Sequence, residues 1–231
     1  MKKSTHILVL FLWLVGISQN TWGADTPWST LTASQQETLN AGKQILVTEE
    51  IPKATWPRFH IYRLIPAAPR DIEAVFWDVN DDINYVPDCM KVTVDSRPAP
   101  NIVEATYYLN IPFLPQEVSQ VRTEVTLLPL GIYNNTWTIL SSKYSQSGSG
   151  SFLIVPHNKG SLICYTNFVV PKSSIACMLR SQAESQIKAT VKAIAQRVEY
   201  QLKEAPQHHA EQLQQIDAAL KTTSKSSAVH E

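Results

Sequence analysis

One apolar stripe constrains this chain more than any other feature of its sequence. Ile175, Leu179, Ala183, Ile187, Val191, Ile194, Val198 and Leu202 recur at spacings of three and four, while Arg180, Glu184, Lys188, Lys192, Glu199 and Lys203 fall away from them. That is the period of a helix with one buried face. Pro171 closes what precedes it and Ser173 or Ser174 can cap it, so the pattern predicts a helix over residues 173–203. At the usual rise it is about 45 Å long. A helix of that length must lay its apolar face on a broad surface.

The surface is written upstream. Residues 90–95, 102–111, 118–128, 133–142, 147–155 and 161–170 read as strands, punctuated by turn segments at 98–100 (PAP), 112–115 (PFLP), 129–131 (PLG) and 156–160 (PHNKG). Val103, Ala105, Tyr107, Leu109 and Ile111 alternate with Glu104, Thr106 and Asn110, as in an antiparallel sheet with one covered face. Before this meander, residues 44–50 and 58–65 also read as strands. Thr32 with Gln35 forms a capping box opening a helix to Asn40. Pro69 and Asp71 open another, with Ile72, Val75, Phe76 and Val79 on its apolar side.

The first 23 residues are a separate unit. Lys2 and Lys3 precede an apolar run at 7–15 (ILVLFLWLV) and a small, polar segment at 16–23, with a cut expected beside Ala24. This is a secretory signal; the run falls well short of the roughly 20 apolar residues that span a bilayer. No cysteine follows it to carry a lipid. Export is expected, to the periplasm if the short Lys-Lys signal is bacterial. The remainder, 18 basic against 20 acidic side chains, is nearly neutral. That argues against a nucleic-acid partner and against strong attraction to anionic lipid surfaces. Cys89, Cys164 and Cys177 are an odd set without C-x-x-C spacing; two can pair, but small apolar packing is the simpler role.

Three segments resemble a known family: 65–78 (IPAAPRDIEAVFWD), 84–92 (NYVPDCMKV), and 150–155 (GSFLIV) with 160–165 (GSLICY) and the junction from Pro171 into the long helix. In order and spacing they resemble the helix-grip superfamily of START lipid-transfer domains, birch-pollen-allergen-like proteins, polyketide cyclases and aromatase-like proteins. The resemblance implies an α+β fold in which a curved antiparallel sheet of about six to seven strands wraps a long C-terminal helix around an apolar cavity. It places the domain at 57–203, after a lead-in at 24–56. Residues 204–231 lie outside the family pattern and read as a polar tail, a loose helix to Lys221 and then disorder.

The function expected is a carrier or sensor of a lipid or other hydrophobic small molecule, with room for transient contact with a membrane. The rivals are a cyclase- or aromatase-like enzyme and a ligand-free envelope interaction protein. There is no Gly-x-Ser-x-Gly, His-Glu-x-x-His or phosphate-cradling glycine loop, and nothing calls for a cofactor. His208-His209 cannot share a helix face as metal ligands. Asp78, Asp81 and Asp82 lack calcium-loop spacing and read as a solvated turn within 80–87 (NDDINYVP) and its approach. Ligand contact is assigned to the strand aromatics Tyr107, Trp137 and Tyr165, to Ile187 and Val191 on the helix stripe, to Gln186 beside it, and to Arg122. Arg122 and Arg63 either enter the cavity to meet a ligand carboxylate or hydroxyl, or lie on the wet face; the rarity of unpaired buried arginine favours the wet face. His60 poses the same choice. Oligomeric state leaves no trace in the sequence.

Overall fold

The computed structural model describes residues 27–111, 114–172 and 179–221. The expected signal segment, Ile175, Cys177 and the expected disorder beyond Lys221 lie outside the described residues. In chain order the elements are α1 (Ala33–Asn40), β1 (Ile45–Glu49), β2 (Arg58–Ile65), α2 (Pro69–Trp77), a 3-10 turn (Val79–Asn84), β3 (Cys89–Ala99), β4 (Ile102–Leu109), β5 (Glu117–Leu128), β6 (Ile132–Ser142), β7 (Ser145–His157), β8 (Gly160–Pro171), α3 (Arg180–Glu204) and α4 (Pro206–Lys221). The strands form one antiparallel sheet in the order β1-β2-β8-β7-β6-β5-β4-β3, eight strands rather than six to seven. Register shifts within β3, β6 and β7 are the bulges that bend such a sheet.

Register separates the two faces, because residues paired across strands share a side. One inner row runs Val103, Thr123, Trp137, Gly150, Asn167, Phe59, and the next includes Asn135, Phe152, Tyr165 and Ile61. These rows meet α2 and α3 in a core containing Phe59, Ile61, Trp77, Val125, Phe152, Ile163, Val191 and Ile194. Phe76 of α2 stacks on Phe152 at 4.4 Å between ring centroids, and Phe152 meets Tyr165 edge-on at 6.2 Å. On the outer face, α1 seats Leu31 and Leu39 over Leu162 in a small second core that Tyr62 and Leu64 flank. The lead-in is thus built into the domain, since β1 is a sheet strand and α1 a cover.

The helix stripe needs one correction. Ile187, Val191, Ile194 and Val198 are buried as expected, but Leu202 is 38% exposed and Gln201 takes the core position. At 3.6 residues per turn the face drifts, and Gln201 lies on the buried side, where its amide donates to Asp81. Ile187→Ala should cost roughly 2–5 kcal/mol in urea unfolding, as for a packed aliphatic. Lys188→Ala, which loses an i,i+4 pair with Glu184, should cost under ~0.5 kcal/mol. The reverse order would mean that α3 packs by another face.

The segment after Pro206 forms the helix expected up to Lys221, but docked rather than loose: α4 buries Ile216 and Ala219 and packs on α2. Polar contacts fix it there: Arg70 pairs with Asp217 at 2.6 Å, His209 Nε2 lies 3.0 Å from Asp71 Oδ1, and the Gln212 amide donates to Asp78 at 3.1 Å. The sequence conceals this because its apolar residues are sparse and its docking side chains are histidine, glutamine and aspartate.

Candidate functional site

The inner face beneath α3 gathers most of the side chains assigned to ligand contact. Tyr107 and Tyr165 pack against the core that contains Ile187 and Val191. Trp137 lies on the same face by register, paired with Gly150, and its Nε1 is buried with no hydrogen-bond partner among the described residues. A buried indole N–H without an acceptor is costly, and such orphans mark places where a partner is supplied from elsewhere. Gly150 explains how the ring fits. A Cβ there would stand 2.6 Å from the Trp137 ring and 2.0 Å from the Thr166 carbonyl oxygen. The glycine is a floor for the indole rather than the flexible lead-in that its Ser-Gly-Ser-Gly-Ser setting suggests. Gly150→Ala should therefore destabilise by about 1–3 kcal/mol and shift Trp137 emission; an unchanged melting temperature would mean that the ring does not cover β7.

Tyr107 is held rather than free. Its hydroxyl donates to Asp82 Oδ2 at 2.7 Å, and Tyr85 donates to Asp82 Oδ1 at 2.7 Å. Burial pushes the Asp82 carboxyl up to about 7, against the pull of the two tyrosine hydroxyls. Burial likewise pushes Tyr107, Tyr85 and Tyr165 above the ordinary phenol value, so all three are neutral donors at pH 7.

The aspartates are the clearest correction to the sequence reading. Asp78, Asp81 and Asp82 are buried, not solvated. Arg197 of α3 grips Asp81 through Nε at 2.6 Å and through Nη2, and Asn84 and Gln201 donate to the same carboxylate. Asp78 receives Gln212 and faces His208 of α4 at 3.3 Å. The turn after α2 is thus a polar seam joining α2, α3 and α4, and among the described residues no group of three His, Cys, Asp or Glu side chains could hold a metal ion. Glu73 is a second missed group, fully buried and accepting from Asn135 at 2.6 Å. Its helical spacing of four from Trp77 is the signal that could have flagged it.

The remaining assignments divide. Gln186 donates to Asp88 at 3.4 Å at the edge of the layer. Arg122 is on the outer face: register aligns it with Glu104 and Thr138, and it pairs with Glu104 at 3.3 Å. It cannot reach a cavity under α3. Arg63 goes the other way, against the preference for the wet face. It lies between buried Ile61 and Ile65 on the inner side of β2, and its Nε is buried without a partner. His60 lies on the outer side, between Thr166 at 3.2 Å and Glu49 at 3.3 Å. Cys89 and Cys164 are free thiols, Cys164 buried as a small apolar side chain would be.

By sequence, the chain matches no protein-family model and no curated protein. By structure it is similar to a STAR-related lipid transfer protein from Xanthomonas axonopodis, with TM-score 0.62 and 13% identity over 68% of this chain and 93% of that one. Human STARD10 gives TM-score 0.55 and 15% identity over 78% and 86% of the two chains. The Zhui aromatase/cyclase from Streptomyces sp. R1128 gives TM-score 0.55 and 13% identity over 64% and 96%. The chain has the helix-grip fold. Within that helix-grip frame, Tyr107, Trp137 and Tyr165 share the inner face of the sheet, and Arg122 is excluded from it. No helix among the described residues is long and apolar enough to cross a membrane.

Proposed function

We propose that this helix-grip protein is exported and binds a lipid or similar hydrophobic molecule between the sheet and α3, as a carrier or sensor. The observation that carries the reading is the buried, unpartnered Trp137 Nε1 on the inner face. It offers one hydrogen bond on the face that also carries Phe59, Phe152 and Tyr165, and a polar handle beside apolar surface is the combination by which small-molecule sites orient a ligand. A carbonyl or hydroxyl oxygen is the complement to that N–H. The fold is shared with the STAR-related lipid transfer protein from Xanthomonas axonopodis, which supports the ligand class.

Ala183 is half-buried on the stripe of α3, one turn before Ile187. Ala183→Phe is expected to abolish binding of a fluorescent fatty acid or sterol analogue by the delipidated protein, because the ring takes ligand volume. Trp137→Phe should weaken binding about tenfold or less, as for one hydrogen bond. Binding should change little with salt. Full binding by Ala183→Phe would refute the site. A cyclase-like reading rests on Asp82 alone; turnover of a ketone-bearing ligand that Asp82→Asn abolishes would establish it. Export is tested by the N-terminus of the mature chain, expected at Ala24 or Asp25; Met1 intact on membrane-bound protein would overturn it.

A further inference from the structure

A concavity lies between β2 and the C-terminal half of α3. It has a volume of about 200 Å³ and is walled by Ile65, Pro66, Ala195, Val198 and Leu202, with Arg63 at one end. Leu202 lines this cleft, which accounts for its failure to join the core. Arg63 is unusual among the arginines with described contacts. Arg58, Arg70, Arg122, Arg180 and Arg197 each pair with a carboxylate, and Arg97 lies over the Trp77 ring. Arg63 has no ion pair among the described residues; it has a long contact from Nη1 to Gln44 Oε1 at 3.5 Å, and its Nε is buried and unpartnered.

We propose that this cleft binds an anionic amphiphile with a short aliphatic tail, whose carboxylate or phosphate head is received by Arg63. A half-buried guanidinium without a counter-charge is unfavourable until an anion supplies one, and its planar fork suits both oxyanions. The aliphatic walls supply the rest. A volume of about 200 Å³ suits a short acyl chain rather than a whole phospholipid. Lys203 at the rim adds positive charge, but it pairs with Glu199 at 2.7 Å, so these two cancel and Arg63 sets the sign. This site does not depend on the interior one.

The test titrates isotope-labelled mature protein with octanoate, octyl phosphate and octanol, following backbone amides by NMR. Octanoate or octyl phosphate should shift the amides of residues 63–67 and 195–203 saturably, the tighter of the two identifying the head. Octanol at equal concentration should leave them in place. Arg63→Gln should weaken the anion at least tenfold; Leu202→Glu, a rim change that leaves the core intact, should weaken it at least threefold. Wild-type affinity in folded Arg63→Gln, or equal shifts with octanol, would overturn the proposal, as would shifts confined to the strands carrying Tyr107, Trp137 and Tyr165. Ala183→Phe should leave this binding unchanged, so failure of one site is distinguishable from failure of the other.

Discussion

Replacing Arg197 with alanine is expected to destabilise the protein by about 3–5 kcal/mol, the cost of stranding a buried carboxylate. The Asp81 side chain is 4% exposed and that of Arg197 17%, and the guanidinium makes two of the four hydrogen bonds that Asp81 accepts. Asn84 and Gln201 would remain, which places the loss toward the lower end. Arg122→Ala supplies the comparison. That pair is on the wet face, with the Arg122 side chain 41% exposed, and should cost at most ~1 kcal/mol. Urea unfolding of both variants decides the matter. Equal losses would mean that the Val79–Asn84 turn is solvated after all and does not bind α3 to α2.

Glu73→Gln is expected to stabilise, and to do so in a pH-dependent way. Burial pushes the Glu73 carboxyl up to about 8 from its ordinary 4.5, against the hydrogen bond from Asn135. Between those values the folded state keeps a proton that the unfolded state gives up. Stability therefore falls as pH rises from about 4.5 to about 8, by up to ~1.4 kcal/mol per pH unit from this group, and the penalty is constant above that window. Asp82 acts in the same direction up to about 7. At pH 7 the glutamine variant should gain on the order of 3 kcal/mol. It also allows two reciprocal amide hydrogen bonds with Asn135, whose Oδ1, like Glu73 Oε1, has no partner among the described residues. Melting temperatures across pH 5 to 9 check this: a variant whose pH profile parallels the parent's would show that Glu73 is ionised in the fold.

The elements legible in the sequence were those with a clean period. The alternation from Val103 to Leu109, the proline-marked turns and the Ile187–Val198 stripe each point to one face, and the structure buries those faces. What period alone could not show was which polar residues the fold encloses. Asp78 and Asp81 read as solvated because their partners Arg197, Gln201 and Gln212 are more than 100 positions away in the chain. Asp82 read so because the tyrosine hydroxyls of Tyr85 and Tyr107 that enclose it do not announce themselves as partners. The docking of α4 was hidden for the same reason, since it rests on His209, Gln212 and Asp217 as much as on Ile216. Arg63 and Arg122 looked alike on paper. Strand parity distinguishes them only once the register is fixed, because a shift of one residue exchanges the faces.

Native mass spectrometry of the purified mature protein tests the central claim most directly. The spectrum should contain a bound hydrophobic molecule, present at purification or taken up from a lipid panel after delipidation, that is lost in Ala183→Phe and kept in Arg122→Gln. A ligand-free mass throughout, with Ala183→Phe merely raising the melting temperature, would show an interior already filled by its own side chains and would contradict the account.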